Sequence, residues 1–126
     1  MIAGVGTDVV DIDRFRKLRE RREFLEQVFT ANEIHAGSEG PAPDSFFAML
    51  FAVKEALLKA MGCGLQRMSL WREIEVTKNE KLHLSGSLQQ LAKEKSIQRV
   101  HISKAHSGND AVAFVVLETT DSEEIA

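Results

Sequence analysis

The segment "FFAMLFAVKEALLKAMGCG", Phe46 to Gly64, constrains this chain more than any other. Its apolar periodicity predicts a helix over about 46–61, with Asp44 or Ser45 as the cap and the glycines of "GCG" as the stop. Ala52, Val53, Ala56, Leu57, Leu58, Ala60 and Met61 leave it little purely solvent-facing surface, so the helix belongs at the centre of the fold. Yet it carries Lys54, Glu55 and Lys59. Phe47, Phe51, Glu55 and Lys59 recur at four-residue intervals and share one stripe, whereas Lys54 lies off it and is read as structural. A Glu four residues before a Lys can be an ordinary surface pair contributing about 0.2–0.5 kcal/mol. Charges near a buried surface, however, are costly unless paired or coordinated, which makes a functional site the competing explanation.

The other segments fit a single α+β domain of 126 residues. "IAGVGTDVV" predicts a strand over 2–10, in which Asp8 falls where the alternation calls for a core residue. "DIDRFRKLRERREFLEQVF" has helical spacing, with a break expected near Arg22 or Glu23. "TANEIHAG" carries a capping-box pattern, Thr30 with Glu33, for a short helix stopped by Gly37. After the loop "SEGPAPD" and the long helix come two expected strands, "SLWREIEVTK" and "LHLSG", about a turn at "NEK". "SLQQLAKEK" predicts a helix, and "VHISKAH" and "AVAFVVLE" predict two strands joined at "SGND". The domain is expected to span 1–118, with 119–126, "TTDSEEIA", as a frayed acidic tail.

A composition 44% apolar and 28% charged is that of a soluble globular protein. No run of about 18 apolar residues could span a bilayer, and the opening residues carry acids rather than the basic start of a secretory signal, so a cytoplasmic protein without membrane contact is expected. The single Cys63 excludes an internal disulfide and a zinc cluster, and is read as a buried thiol. Although the net charge is −3, residues 14–22, "RFRKLRERR", hold six basic residues and one acid, a local charge of +5. This patch suits an acidic partner, or is simply a solvated helix face. Without interleaved Tyr or Trp, or a nucleic-acid motif, it does not point to nucleic acid.

Asp8 and Glu55, if brought together, would form a hard-oxygen site of the kind Mg²⁺ uses, one or two carboxylates completed by substrate phosphates. Mn²⁺ would also fit such a site. His101 and His106 are alternative ligands or bases, and equally ordinary strand histidines. Gly62 and Gly64 let backbone approach a ligand, though glycines at a helix end usually only stop it. "HLSGS" is either a strand end and helix cap or an anion-binding helix start.

In "GVGTDVVDIDRF", "FAVKEALLKAMGCG" and "VHISKAHSGNDAVAFVVLE" the chain resembles the holo-(acyl-carrier-protein) synthases, of the 4′-phosphopantetheinyl transferase superfamily. The three segments occur in the family's order and cover nearly the whole chain. The resemblance implies a single-domain α+β fold, an antiparallel sheet packed against a long central helix, and a homotrimer with active sites in clefts between protomers. It implies transfer of the phosphopantetheine arm of coenzyme A to a serine of an apo acyl carrier protein, releasing adenosine 3′,5′-bisphosphate. Asp8 and Glu55 would then be the Mg²⁺ ligands and Lys59 the lysine beside the reacting phosphate. Gly62, Gly64, Ser103 and His106 would line the coenzyme A cleft, and Arg14, Lys17 and Arg21 would dock the carrier protein.

Two positions depart from the family pattern. Leu50 stands where a basic residue usually precedes the "FAxKEA" phenylalanine, and "GPAPDSFFAML" lacks basic residues often found upstream. Losing one phosphate contact of about 1.5–3 kcal/mol weakens binding by about one to two powers of ten. Lys104, in "SKAH", could supply that charge from a different direction. The alternative is a non-catalytic or weakened homologue that binds a carrier protein through its basic helix.

Overall fold

The computed structural model describes residues 1–64 and 67–120. At its centre is α4 (Pro43–Ala60), of whose 18 residues eleven are buried. Neither Asp44 nor Ser45 is its cap. Ala42 takes that position without a side-chain bond, and Pro43 opens the first turn, where its fixed φ suits a helix and its missing N–H leaves nothing unsatisfied. Ser45 Oγ instead donates to the Ala42 carbonyl (3.3 Å), and Asp44 accepts from Arg19 Nε (2.8 Å).

One side of α4 meets an antiparallel sheet of β1 (Ile2–Asp11), β5 (Asp110–Thr119) and β4 (Ile97–Ser107), with β5 in the middle. The register lines up Gly4 with Leu117 and Val100, Gly6 with Val115 and Ile102, Asp8 with Ala113 and Lys104, and Val10 with Ala111 and His106. These rows belong to the helix side of the sheet. A Cβ at Gly4 would stand 2.1 Å from the Ala60 carbonyl oxygen, and one at Gly6 1.9 Å from that of Ala56. Only glycine lets strand backbone lie against helix backbone this closely. The next position on that face is Asp8. The opposite face carries Val5, Val9, Val112 and Phe114, all exposed.

Against the rest of α4 pack α1 (Ile12–Arg19), α2 (Arg22–Val28) and α3 (Ala31–Glu39). Phe15, Phe24, Phe29, Phe47, Phe51 and Trp71 form one aromatic cluster there, with neighbouring centroids 5.0–6.4 Å apart. The helix break falls at Glu20 and Arg21, just before its predicted place. The Thr30–Glu33 capping box forms as expected. Gly37 does not stop α3, however. It is a packing position, since a Cβ there would lie 2.4 Å from the Phe47 ring.

The strand predicted over "SLWREIEVTK" is realised only as β2 (Ile74–Val76), paired with β3 (Leu82–Leu84). A short α5 (Arg67–Leu70) and a 3₁₀ turn (Trp71–Glu73) replace the remainder, because the carbonyls of Trp71 and Ile74 are turned to Lys54 Nζ. The helix α6 (Gly86–Glu94) follows "HLS", and the Glu73 carboxylate accepts from its Ser87 Oγ (3.0 Å) and Leu88 N–H (2.7 Å). The anion at that helix start is therefore the protein's own. β5 runs to Thr119, and residues 121–126 of the predicted tail lie outside the described residues.

Candidate active site

From Ala52 to Ala60 every residue of α4 is buried except Lys59. Its Nζ donates to Asp8 Oδ1 (2.9 Å) and to the Thr7 carbonyl (3.1 Å). Glu55 lies one turn back on the same stripe, 8% exposed, and accepts a hydrogen bond from Trp71 Nε1 (2.6 Å) at Oε2. Asp8 and Lys59 thus meet where β1 crosses α4, with Glu55 one turn back along the same helix stripe. The close approach at Gly4 and Gly6 is what carries Asp8 into reach.

Among the described residues, no group of three or more His, Cys, Asp or Glu is assembled to hold a metal. Two carboxylates nevertheless fit a hard ion such as Mg²⁺, which is commonly held by one or two carboxylates with water and substrate phosphates completing its shell. A carboxylate offers about four lone-pair sites, so the contact with Lys59 does not exhaust Asp8.

Lys54, next to Glu55 in sequence, has a different environment. It is fully buried, with Nζ against Glu33 Oε1 (2.7 Å) and the carbonyls of Val28 (2.8 Å), Ile74 (2.9 Å) and Trp71 (3.0 Å). Burial pushes its pKa down, and the Glu33 carboxylate opposes that shift. Glu33 Oε2 also accepts the Val76 N–H (2.9 Å), so this pair ties α3, α4 and β2 together.

The remaining expected site residues are dispersed. Ser103 and His106 are on β4, separated from Asp8 by the width of β5, so one chain does not bring them to Lys59. His106 borders a cleft of about 490 Å³ with Asp13 and Pro43. Gly62, with φ +77°, lines another of about 650 Å³ with Ser87 and Leu88, and Gly64 lies just beyond the end of α4. His101 is committed to Glu118 (2.5 Å), a bond that holds the Glu118 carboxyl below its ordinary range. Cys63 is buried, and burial raises its pKa.

In the basic segment, Arg16 and Arg19 pair with Asp44, and Arg22 with Glu26. Arg14, Lys17 and Arg21 are exposed, and their side chains have no hydrogen-bonded or salt-bridged partner among the described residues. Trp71 escaped sequence reasoning altogether. Its only signal is being the single tryptophan of the chain, and no spacing links it to Glu55.

This arrangement, a carboxylate strand position laid against a Glu–Lys helix stripe, is accompanied by a match of residues 4–116 to the model of the 4′-phosphopantetheinyl transferase superfamily. The chain belongs to that family. More particularly, it is similar to the holo-[acyl-carrier-protein] synthases of Geobacter metallireducens, 39% identical over 94% of this chain and 98% of the relative, and Geotalea daltonii, 37% identical over 94% and 99%. Its fold superposes on the crystal structure of the Neisseria meningitidis synthase with a TM-score of 0.83, at 30% identity over 94% of this chain and 100% of that one. The Bacillus anthracis synthase in complex with CoA gives a TM-score of 0.74, at 33% identity over 95% and 99%.

Proposed function

We propose that this chain transfers the 4′-phosphopantetheine group of coenzyme A to a serine of an apo acyl carrier protein, in a Mg²⁺-dependent reaction in the cytoplasm. The observation that carries this reading is the junction of Asp8 with Lys59, one helical turn from Glu55. The serine hydroxyl loses its proton to solvent as its oxygen bonds to the phosphorus bearing the pantetheine arm, the bond from that phosphorus to the bridging oxygen breaks, and adenosine 3′,5′-bisphosphate leaves. Charge builds on the phosphoryl oxygens, and the Lys59 ammonium, the one exposed cation on an otherwise buried stretch of helix, is placed to offset it. Asp8 and Glu55 would hold Mg²⁺, or Mn²⁺ in its place, and such an ion would supply positive charge to offset the negative charge on the phosphate oxygens. Trp71 holds Glu55 by one oxygen and so fixes how its carboxylate is presented.

Arg14, Lys17 and Arg21, exposed and unpaired among the described residues, form the surface for an acidic carrier protein. A homotrimer is part of the proposal. The exposed Val5, Val9, Val112 and Phe114 give the sheet an apolar outer face, and the separation of Ser103 and His106 from Lys59 within one chain calls for a neighbouring protomer to complete the coenzyme cleft. A carrier-binding homologue without catalysis is not favoured, since Lys59 is bonded to Asp8 one helical turn from Glu55.

The test is the mass of apo carrier proteins of fatty-acid synthesis after incubation with the chain, coenzyme A and Mg²⁺. Each should gain one phosphopantetheine, and Glu55→Ala should abolish the gain while keeping the fold. Absence of transfer to every carrier by the unaltered chain refutes the reading, and full activity in Glu55→Ala removes Glu55 from the site.

A further inference from the structure

A second charged centre lies across the sheet from Asp8. Lys104 on β4 shares the inward row that runs through Ala113 to Asp8. It borders a cleft of about 740 Å³ whose floor includes Leu50, Val76, Leu82 and Ile102, and whose rim adds Lys81 and Glu80. Lys104 Nζ is paired with Glu80 Oε1 at 3.0 Å.

Glu80 is the only acid in the turn "TKNEK" between β2 and β3, where Lys78 and Lys81 flank it. Its backbone has φ +59°, in the left-handed region that glycine and asparagine adopt far more readily than glutamate. The turn is closed by the Glu80 N–H on the Thr77 carbonyl (2.9 Å) and the Lys81 N–H on Thr77 Oγ1 (3.2 Å). A residue poorly suited to this backbone thus delivers its carboxylate to a lysine. Glu80 is 72% exposed at its side chain, so the pair adds little to folding. Its effect is local, keeping an anion on Lys104 above an apolar floor.

We infer that Lys104 is a phosphate-binding residue whose site Glu80 fills in the free protein, and that a phosphate group of the co-substrate displaces the Glu80 carboxylate. This rests on the transferase reading, which makes coenzyme A the source of that phosphate. An apolar floor beside an ammonium suits a nucleotide, with the base on Leu50 and Val76 and the phosphate on the lysine. A phosphate dianion carries more charge and more acceptor oxygens than one carboxylate, and Lys78 and Lys81 add to its field. Glu80 therefore acts as an internal competitor, and Lys104 makes affinity depend on the phosphate.

Calorimetric titration of the full chain with adenosine 3′,5′-bisphosphate tests this directly. Lys104→Gln should bind about tenfold more weakly. Glu80→Gln should bind about three- to fivefold more tightly. The double variant should match Lys104→Gln alone, because Glu80 acts only through the lysine, and Lys104→Arg should restore binding. In the transfer assay the same variants should shift KM for coenzyme A with kcat nearly unchanged. Unchanged binding in Lys104→Gln, weaker binding in Glu80→Gln, or no binding by the unaltered chain overturns the inference. The first two results leave the transferase reading standing if the unaltered chain still modifies a carrier. Binding that follows the expected pattern without any transfer supports the inference while refuting that reading's catalytic step. Both side chains lie at the surface, so an unchanged thermal midpoint confirms that the variants are folded.

Discussion

Lys54 and Lys59 project from the same helix five residues apart. The ammonium of Lys54 is wholly buried and meets Glu33 and three carbonyls; that of Lys59 belongs to a side chain 41% exposed and meets Asp8 and one carbonyl. Lys54 has no room for a ligand, because protein atoms already occupy its donor directions. Lys59 has a side open to solvent and an acidic neighbour, Asp8, that is itself partly exposed. The difference teaches that a charge on an apolar helix is a functional candidate only when part of its coordination is left to solvent. Two predictions separate these roles.

The largest effect is expected from Lys54→Met, which leaves the Glu33 carboxylate buried without its cation. Removing one partner of a buried pair costs about 3–5 kcal/mol, a drop that urea unfolding would resolve at once. The pH dependence carries a second signature. Burial lowers the folded-state pKa of Lys54 below the ordinary lysine value of 10.5, so between that lowered value and 10.5 the unfolded chain binds more protons. Stability contributed by this group therefore rises with pH through that window. The rise should be missing from Lys54→Met. A loss of stability under about 1 kcal/mol would mean that Lys54 is not the strut this geometry makes it.

Lys59→Ala should invert the pattern. Transfer should fall by about 10²–10³, the effect of losing one preorganised charge at a reacting phosphate. Stability should change by no more than about 1 kcal/mol, since an ion pair this exposed is screened by solvent. If the variant instead unfolds as readily as Lys54→Met, the division between strut and site fails.

The residues at the site were more legible than the strut. Asp8 announced itself by breaking a period of two, and Glu55 with Lys59 by keeping a period near four; both signals are local, and both survive in the fold. The Thr30–Glu33 capping box was local too. The second role of Glu33, as counter-ion to Lys54, joins residues 21 apart through tertiary packing and leaves no periodic trace. The shortened β2 reflects tertiary packing too, with the carbonyls of Trp71 and Ile74 drawn to Lys54, while at the uncapped start of α4 Pro43 does the work expected of Asp44 or Ser45. Ser103 rests on resemblance alone and His106 also on its being an alternative ligand or base, and in one chain both stand apart from Lys59.

Trp71 sits where strut and site meet, its carbonyl accepting from Lys54 and its ring N–H donating to Glu55. Trp71→Phe keeps the backbone carbonyl and most of the ring's contact with Phe24 and Phe51, and removes only the donor to Glu55 Oε2. That bond helps to set how the Glu55 carboxylate is turned, and a side chain that orients a metal ligand commonly changes metal affinity by about 10–100-fold. The smallest of these effects is therefore expected here, about a tenfold rise in the Mg²⁺ concentration giving half-maximal transfer, with activity recovered at saturating Mg²⁺. Stability should fall by about 1 kcal/mol, the net worth of one hydrogen bond. A loss of transfer that extra Mg²⁺ leaves untouched would separate Trp71 from Glu55 and assign it to the strut. A shift in Mg²⁺ dependence alone would place it with the site, because Glu55, and not Lys54, is the proposed ligand of the ion.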